Sequence, residues 1–141
     1  MSETAFKNCI KNKNIDMFKM LVNTCSFGEA DIISYIIKGD KLNKKTEVHS
    51  LTYEEKIDFV NSIVVNHRSN KDFIFEAILK NCAIYDQKKL FLKFLSSKEF
   101  KDQKVSEGII NKITKINDPE WIEVLKLVLE KNKQVKFNEE I

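Results

Sequence analysis

The side chains able to do chemistry in this 141-residue chain are two histidines, three cysteines and scattered carboxylates, and their spacing does not gather them into a site. His49 and His67 fall in or beside predicted loops, and neither has a second histidine at HExxH or HxxxH spacing. No helix face therefore offers the paired ligands that zinc requires. His49 would meet Glu54 and Glu55 only if its loop folded back; a solvated loop histidine and a pair of helix-start glutamates account for the same residues. Cys9, Cys25 and Cys82 each sit among apolar neighbours and form no CxxC pair, which predicts reduced thiols in an intracellular protein, with no disulfide framework and no zinc knuckle. Cys82 would need an adjacent base to act as a nucleophile, and it reads as a buried structural thiol. No P-loop, GxGxxG or GxSxG occurs. These patterns predict a non-catalytic chain that uses no metal and no cofactor.

Binding is the remaining class, and its candidates are few. Trp121 lies just past Pro119 in a predicted first helical turn, where an indole either folds over the core or stands out as an interface anchor. Lys41, Lys44 and Lys45 form a local positive cluster suited to an acidic partner surface, or to a solvated loop. The formal charge of +3, from 24 basic and 21 acidic residues, is too near balance to require nucleic acid or an anionic membrane. Arg68 is the only arginine, so the planar fork that reads guanine edges is nearly missing. The ten phenylalanines fall mostly at helical spacing beside Ile and Leu and read as core, not as base-stacking platforms.

The elements that must position these residues are helices. Hydrophobic residues make up 43% of the chain and charged residues 32%, a composition that folds. Gly28, Gly39, Gly108 and Pro119 are too few for the turns of a many-stranded sandwich. Apolar residues recur at three and four nearly throughout, which predicts about eight short helices in a single domain over residues 1 to 141.

The first helix, about 3 to 12, carries Ala5, Phe6, Cys9 and Ile10 inward. The second, about 16 to 25, carries Phe18, Leu21, Val22 and Cys25, with Asp16 as its cap. The third, about 29 to 38, carries Ile32, Ile33, Ile36 and Ile37 and stops at Gly39. Residues 38 to 51 show no period and read as a charged loop. Thr52 with Glu55 forms a capping box for the fourth helix, which directs Tyr53, Ile57, Val60 and Val64 inward. Ser69 and Asp72 start the fifth, with Phe73, Ala77, Ile78 and Cys82 inward. The sixth carries Leu90, Phe91, Phe94 and Leu95, and the seventh, from about Ser106, carries Ile109, Ile110, Ile113 and Ile116. Asp118 and Pro119 mark the eighth, with Trp121, Leu125, Val128 and Leu129 inward; it ends at Asn132 or the lysines beyond, and residues 133 to 141 are a frayed tail. The N-terminus has no apolar stretch of a secretory leader, and no apolar run approaches a membrane span. A soluble, cytoplasmic protein is expected.

Three segments share one plan of helix, polar turn and helix: IKNKNIDMFKMLV from Ile10, LKNCAIYDQKKLFLKFL from Leu79 and ITKINDPEWIEVLKLVL from Ile113. Leu92 to Leu95 align with Leu125 to Val128 at a spacing of 125 − 92 = 33 residues, the ankyrin period. NIDMFKML and PEWIEVLKLVL resemble the second helix of an ankyrin repeat, although the first-helix signature Thr-Pro-Leu-His-x-Ala is absent. Two architectures stay open: a helical-hairpin solenoid, ankyrin-like or HEAT-like, and a compact helical bundle. The resemblance implies a protein-binding surface without catalysis. The expected function is a protein-interaction module, an accessory, regulatory or inhibitory factor of a virus or bacterium. The alternative is a lysine-dependent nucleic-acid binder acting on the phosphate backbone.

Overall fold

The computed structural model describes residues 3–38, 51–67 and 70–140, with side chains as far as 135 in the last helix. Gly39, Lys41, Lys44, Lys45, His49, Arg68 and Ser69, and with them almost the whole 38 to 51 loop, lie outside the described residues. Among the described residues the fold is all-helical, with no strand. The helices are α1 (Glu3–Lys11), α2 (Ile15–Thr24), α3 (Glu29–Lys38), α4 (Tyr53–Asn66), α5 (Lys71–Ile84), α6 (Lys88–Leu95), α7 (Glu107–Thr114) and α8 (Pro119–Glu140), with a 3-10 turn at Lys98–Phe100. No helix of the described residues is long and apolar enough to cross a membrane. Contacts divide the chain into two compact units, Met1–Ile74 and Phe75–Ile141, with the division inside α5.

In the first unit α2 packs on α1 and α4, and α3 packs on the same two helices. Its centre is aromatic. Phe18 meets Phe6 edge-on at 6.0 Å and Phe59 at 4.9 Å, while Phe27 stacks on Phe6 at 4.5 Å. Each such pair adds about 0.5–1.5 kcal/mol beyond area burial. Ile32, Ile33, Ile36 and Ile37 of α3 are fully buried, as their spacing predicts. The capping box forms: the Thr52 N–H donates to Glu55 Oε1 at 2.8 Å, and the Glu55 N–H donates to Thr52 Oγ1 at 3.1 Å. Lys56, itself buried, donates to the Ile37 carbonyl at 3.1 Å, supplying a cation to the C-terminal end of α3.

The cap of α2 is Asn14, not Asp16: its Oδ1 accepts from the Met17 N–H at 3.1 Å. Lys13 takes a left-handed φ of 57° to close α1, so Asn14 is the first residue able to face the next helix, and Asp16 already lies inside its first turn.

In the second unit α8 packs on α6 and α7. Leu90, Phe91, Phe94 and Leu95 are buried as expected, and Ser106 caps α7. Of the residues expected inward on α7, Ile109 and Ile113 are buried and Ile110 is half-buried, whereas Ile116, also half-buried, lies beyond the end of the helix at Thr114. Other expectations fail, and in α1, α2 and the cap after it Ala5, Leu21 and Cys25 are half-buried. Phe73 is 54% exposed, because α5 is buried round much of its circumference by Ile74, Phe75, Ala77, Ile78, Leu79, Cys82 and Ala83, which a single-stripe reading of spacing does not resolve. Tyr53 and Ile57 are half-buried, since Lys56, Phe59 and Ile63 take the inner face of α4. In α8 the buried stripe is Trp121, Val124, Val128 and Val135; Leu125 is half-buried and Leu129 is 51% exposed. At 3.6 residues per turn Leu129 stands roughly 80° round the helix from Trp121, on its flank. The helix also runs past Asn132 to Glu140.

Two interhelical turns are built alike. At the end of α1 the Asn14 N–H donates to the Cys9 carbonyl at 2.8 Å, and at the end of α5 the Gln87 N–H donates to the Cys82 carbonyl, also at 2.8 Å. Lys13 and Asp86 share the left-handed φ, 57° and 55°. Their separation is 82 − 9 = 73 residues, not 33. The turn before α8 contains no left-handed non-glycine residue. No ankyrin-like repeat is evident.

Candidate binding groove

The described residues of the second unit enclose a groove of about 530 Å³ beside α6 and α8, within the range of about 300–1,000 Å³ typical of ligand sites. Leu92, Leu95, Leu127 and Val135 supply its apolar lining; Ser96, Ser97, Lys101, Glu130, Lys131 and Gln134 supply the polar part. Leu127 is 51% exposed, an apolar side chain that the unit's own packing leaves half in water.

Local sequence explains both walls. Ser96 ends α6: its N–H and its hydroxyl both donate to the Leu92 carbonyl, at 3.1 and 3.0 Å. Ser97 then caps the 3-10 turn, accepting from the Glu99 N–H at 3.3 Å. The opposite wall is α8, and two consecutive residues of it grip the connecting segment. Lys131 Nζ donates to the Phe100 carbonyl at 2.8 Å and to the Lys101 carbonyl at 3.4 Å. Asn132 accepts from the Val105 N–H at 2.7 Å and donates to the Val105 carbonyl at 2.9 Å. Phe100 stacks on Phe75 at 4.6 Å, and the Lys131 ammonium lies 5.7 Å from the Phe75 ring centre. Burial pushes the Lys131 amine below its ordinary pKa, with the negative charge of Asp102 acting in the opposite sense. The groove is thus held open by bonds of its own unit, so a ligand would not have to order it.

Trp121 is not an exposed anchor. It is 1% exposed, its Nε1 donates to Asp86 Oδ1 at 2.8 Å, and its ring meets Phe91 edge-on at 5.4 Å. The first turn of α8 aims it at the core because the unit needs a large ring over α6, and Asp86 supplies the acceptor that a buried indole requires. Around it, Lys88 Nζ lies 3.0 Å from Asp86, 3.2 Å from Asp118 and 3.2 Å from Glu120. These carboxylates, Asp86 first, hold the Lys88 ammonium charged well above the ordinary lysine range. All four groups satisfy one another.

Of the other sequence candidates, His67 has a partner the sequence did not suggest. Its Nδ1 lies 2.7 Å from Glu29 Oε2 and its Nε2 3.3 Å from the Val22 carbonyl, while Asn70 donates to Glu29 Oε1 at 2.9 Å. The cluster ties the first turn of α3 to the chain after α4 within the first unit. No disulfide joins the cysteines; Cys9 and Cys82 are buried, and burial raises the Cys9 thiol pKa. Among the described residues no group of three His, Cys, Asp or Glu side chains is placed to hold a metal ion. The groove residues were missed at the sequence level, yet one signal existed: Leu127 is apolar but out of phase with Trp121, Val124 and Val128.

No protein-family model matches the chain, and neither curated proteins nor solved structures give a match.

Proposed function

We propose that this chain is a non-catalytic, cytoplasmic interaction module that binds another protein by receiving an apolar side chain in the groove beside α6 and α8, and that it acts as an accessory, regulatory or inhibitory factor. The observation that carries this reading is the half-exposed Leu127 set against Leu92, Leu95 and Val135 in a pre-braced groove. An amphipathic helix laid into an apolar groove is a common mode of protein recognition, with energy concentrated in a few anchors. The test is site-specific photocrosslinking from position 127, with position 19 of α2 as a control on the other unit. Crosslinks to a defined protein from 127 and not from 19 are expected. Crosslinks to nucleic acid alone, or equal labelling from both positions, would remove the groove from the account.

A further inference from the structure

We infer that the segment received by this groove is an acidic amphipathic peptide, one that carries a carboxylate within a helical turn of its apolar anchor; this rests on the protein-binding reading above. The argument begins with Lys131. Its ammonium lines the groove, and its hydrogen bonds among the described residues go to the neutral Phe100 and Lys101 carbonyls. No described carboxylate lies within ion-pair distance of it. Lys101 adds an exposed second ammonium to the lining. Glu130 is the one lining carboxylate, and it stands exposed, accepting from Gln134 at 3.4 Å.

Three kinds of partner would meet this surface differently. A purely apolar segment would strip the remaining water from Lys131 and return nothing, which makes burial of the charge costly. A basic segment would set a third positive charge beside the two lysines. Asp102 acts on the half-buried ammonium only from beyond ion-pair distance, so a segment that pairs its apolar anchor with Asp or Glu gives it a directly bonded carboxylate, and the apolar lining takes the anchor. Burial of Lys131 strengthens the case, because a pair formed there is screened less than one in open water.

The probe is a displayed library of random peptides of about twelve residues, enough for roughly three helical turns, selected on the whole chain. Enriched peptides are expected to combine apolar residues at helical spacing with Asp or Glu one turn away, and to lose binding to the Leu127→Glu variant. Lys131→Gln is expected to weaken the selected peptides about tenfold, the scale of a partly desolvated charge pair. Lys131→Arg should retain them. Because Lys131→Gln also loosens the brace to Phe100, Lys101→Ser is the second variant: it leaves the brace intact and is expected to weaken binding by up to about fivefold, with the effect shrinking as salt rises. Peptides that need Leu127 but show no acidic enrichment, or that bind the Lys101→Ser and Lys131→Gln variants unchanged, would overturn the charge inference and leave the groove standing. Enrichment of basic residues would overturn it as well. Peptides indifferent to Leu127→Glu, or a selection that yields none, would overturn the groove and the inference together.

Discussion

The turns Cys9–Asn14 and Cys82–Gln87 share their backbone and differ in what their side chains do. Both close a helix with the same N–H to carbonyl bond five residues back and a left-handed residue, and both place a fully buried phenylalanine four residues after the cap, Phe18 and Phe91. In the first turn the left-handed residue is Lys13, which pairs with Glu55 at 3.2 Å across the surface, and the cap Asn14 holds the next helix. In the second the left-handed residue is Asp86, which accepts from the buried Trp121 indole and pairs with Lys88, while the cap position, Gln87, makes no side-chain cap bond. One backbone thus serves two economies of side chain: a helix cap in the first unit, a tertiary polar anchor in the second.

Glycine substitution separates them most sharply. A left-handed non-glycine residue costs about 1–2 kcal/mol, so Lys13→Gly should raise stability by up to about 1 kcal/mol after loss of a surface ion pair. Asp86→Gly gains the same relief but leaves the Trp121 N–H buried without its acceptor, a penalty of about 1–3 kcal/mol that should make the variant less stable than the parent. Urea titration of both variants measures the difference; a stabilised Asp86→Gly protein would show that the indole bond is dispensable.

The cap positions predict opposite signs as well. Asn14→Ala should cost about 1 kcal/mol, whereas Gln87→Asn, by supplying the missing acceptor at the start of α6, should add up to about 1 kcal/mol. Equal melting shifts in the two variants would erase the contrast.

The smallest effects are in pH. The Thr52 N–H, with Lys13 adding to it, holds Glu55 below its ordinary carboxylate value of 4.5. A depressed carboxylate contributes stability that is present above its unfolded value and is lost as pH falls through the folded one, so the Glu55→Gln variant should flatten the acid limb below about 4.5. Lys88 is shifted upward, so its contribution is present below 10.5 and is lost as pH rises further; Lys88→Met should lower stability throughout the range below 10.5 and flatten the alkaline limb above it. Stability measured across both limbs tests whether each turn owns its own end of the pH range.

Legibility in sequence follows the range of the interaction. The Thr52 and Glu55 capping box, the Asp118 and Pro119 start of α8 and the isoleucine stripe of α3 are fixed by neighbours within a turn, and the structure has them all. The Asn14 cap was misplaced because it depends on Lys13 adopting a left-handed φ, which residue type does not announce. Burial in α8 is not legible in spacing because Val124, Leu125, Leu127, Val128 and Leu129 lie close together round the helix, and tertiary packing beside Trp121 buries only Val124 and Val128 of them. His67 with Glu29, Trp121 with Asp86 and Lys131 with Phe100 join residues far apart in the chain, where no local pattern operates. The groove belongs to that last group: its existence depends on where α8 grips the segment after α6.

Asn132 gives that grip a kinetic signature. Its amide imitates a neighbouring β-strand, taking up both the donor and the acceptor of Val105 in a stretch that belongs to no helix. The Val105 amide proton is therefore shielded from exchange with solvent only while α8 is wound as far as residue 132, which makes a loop proton the natural clock for the unwinding of a helix.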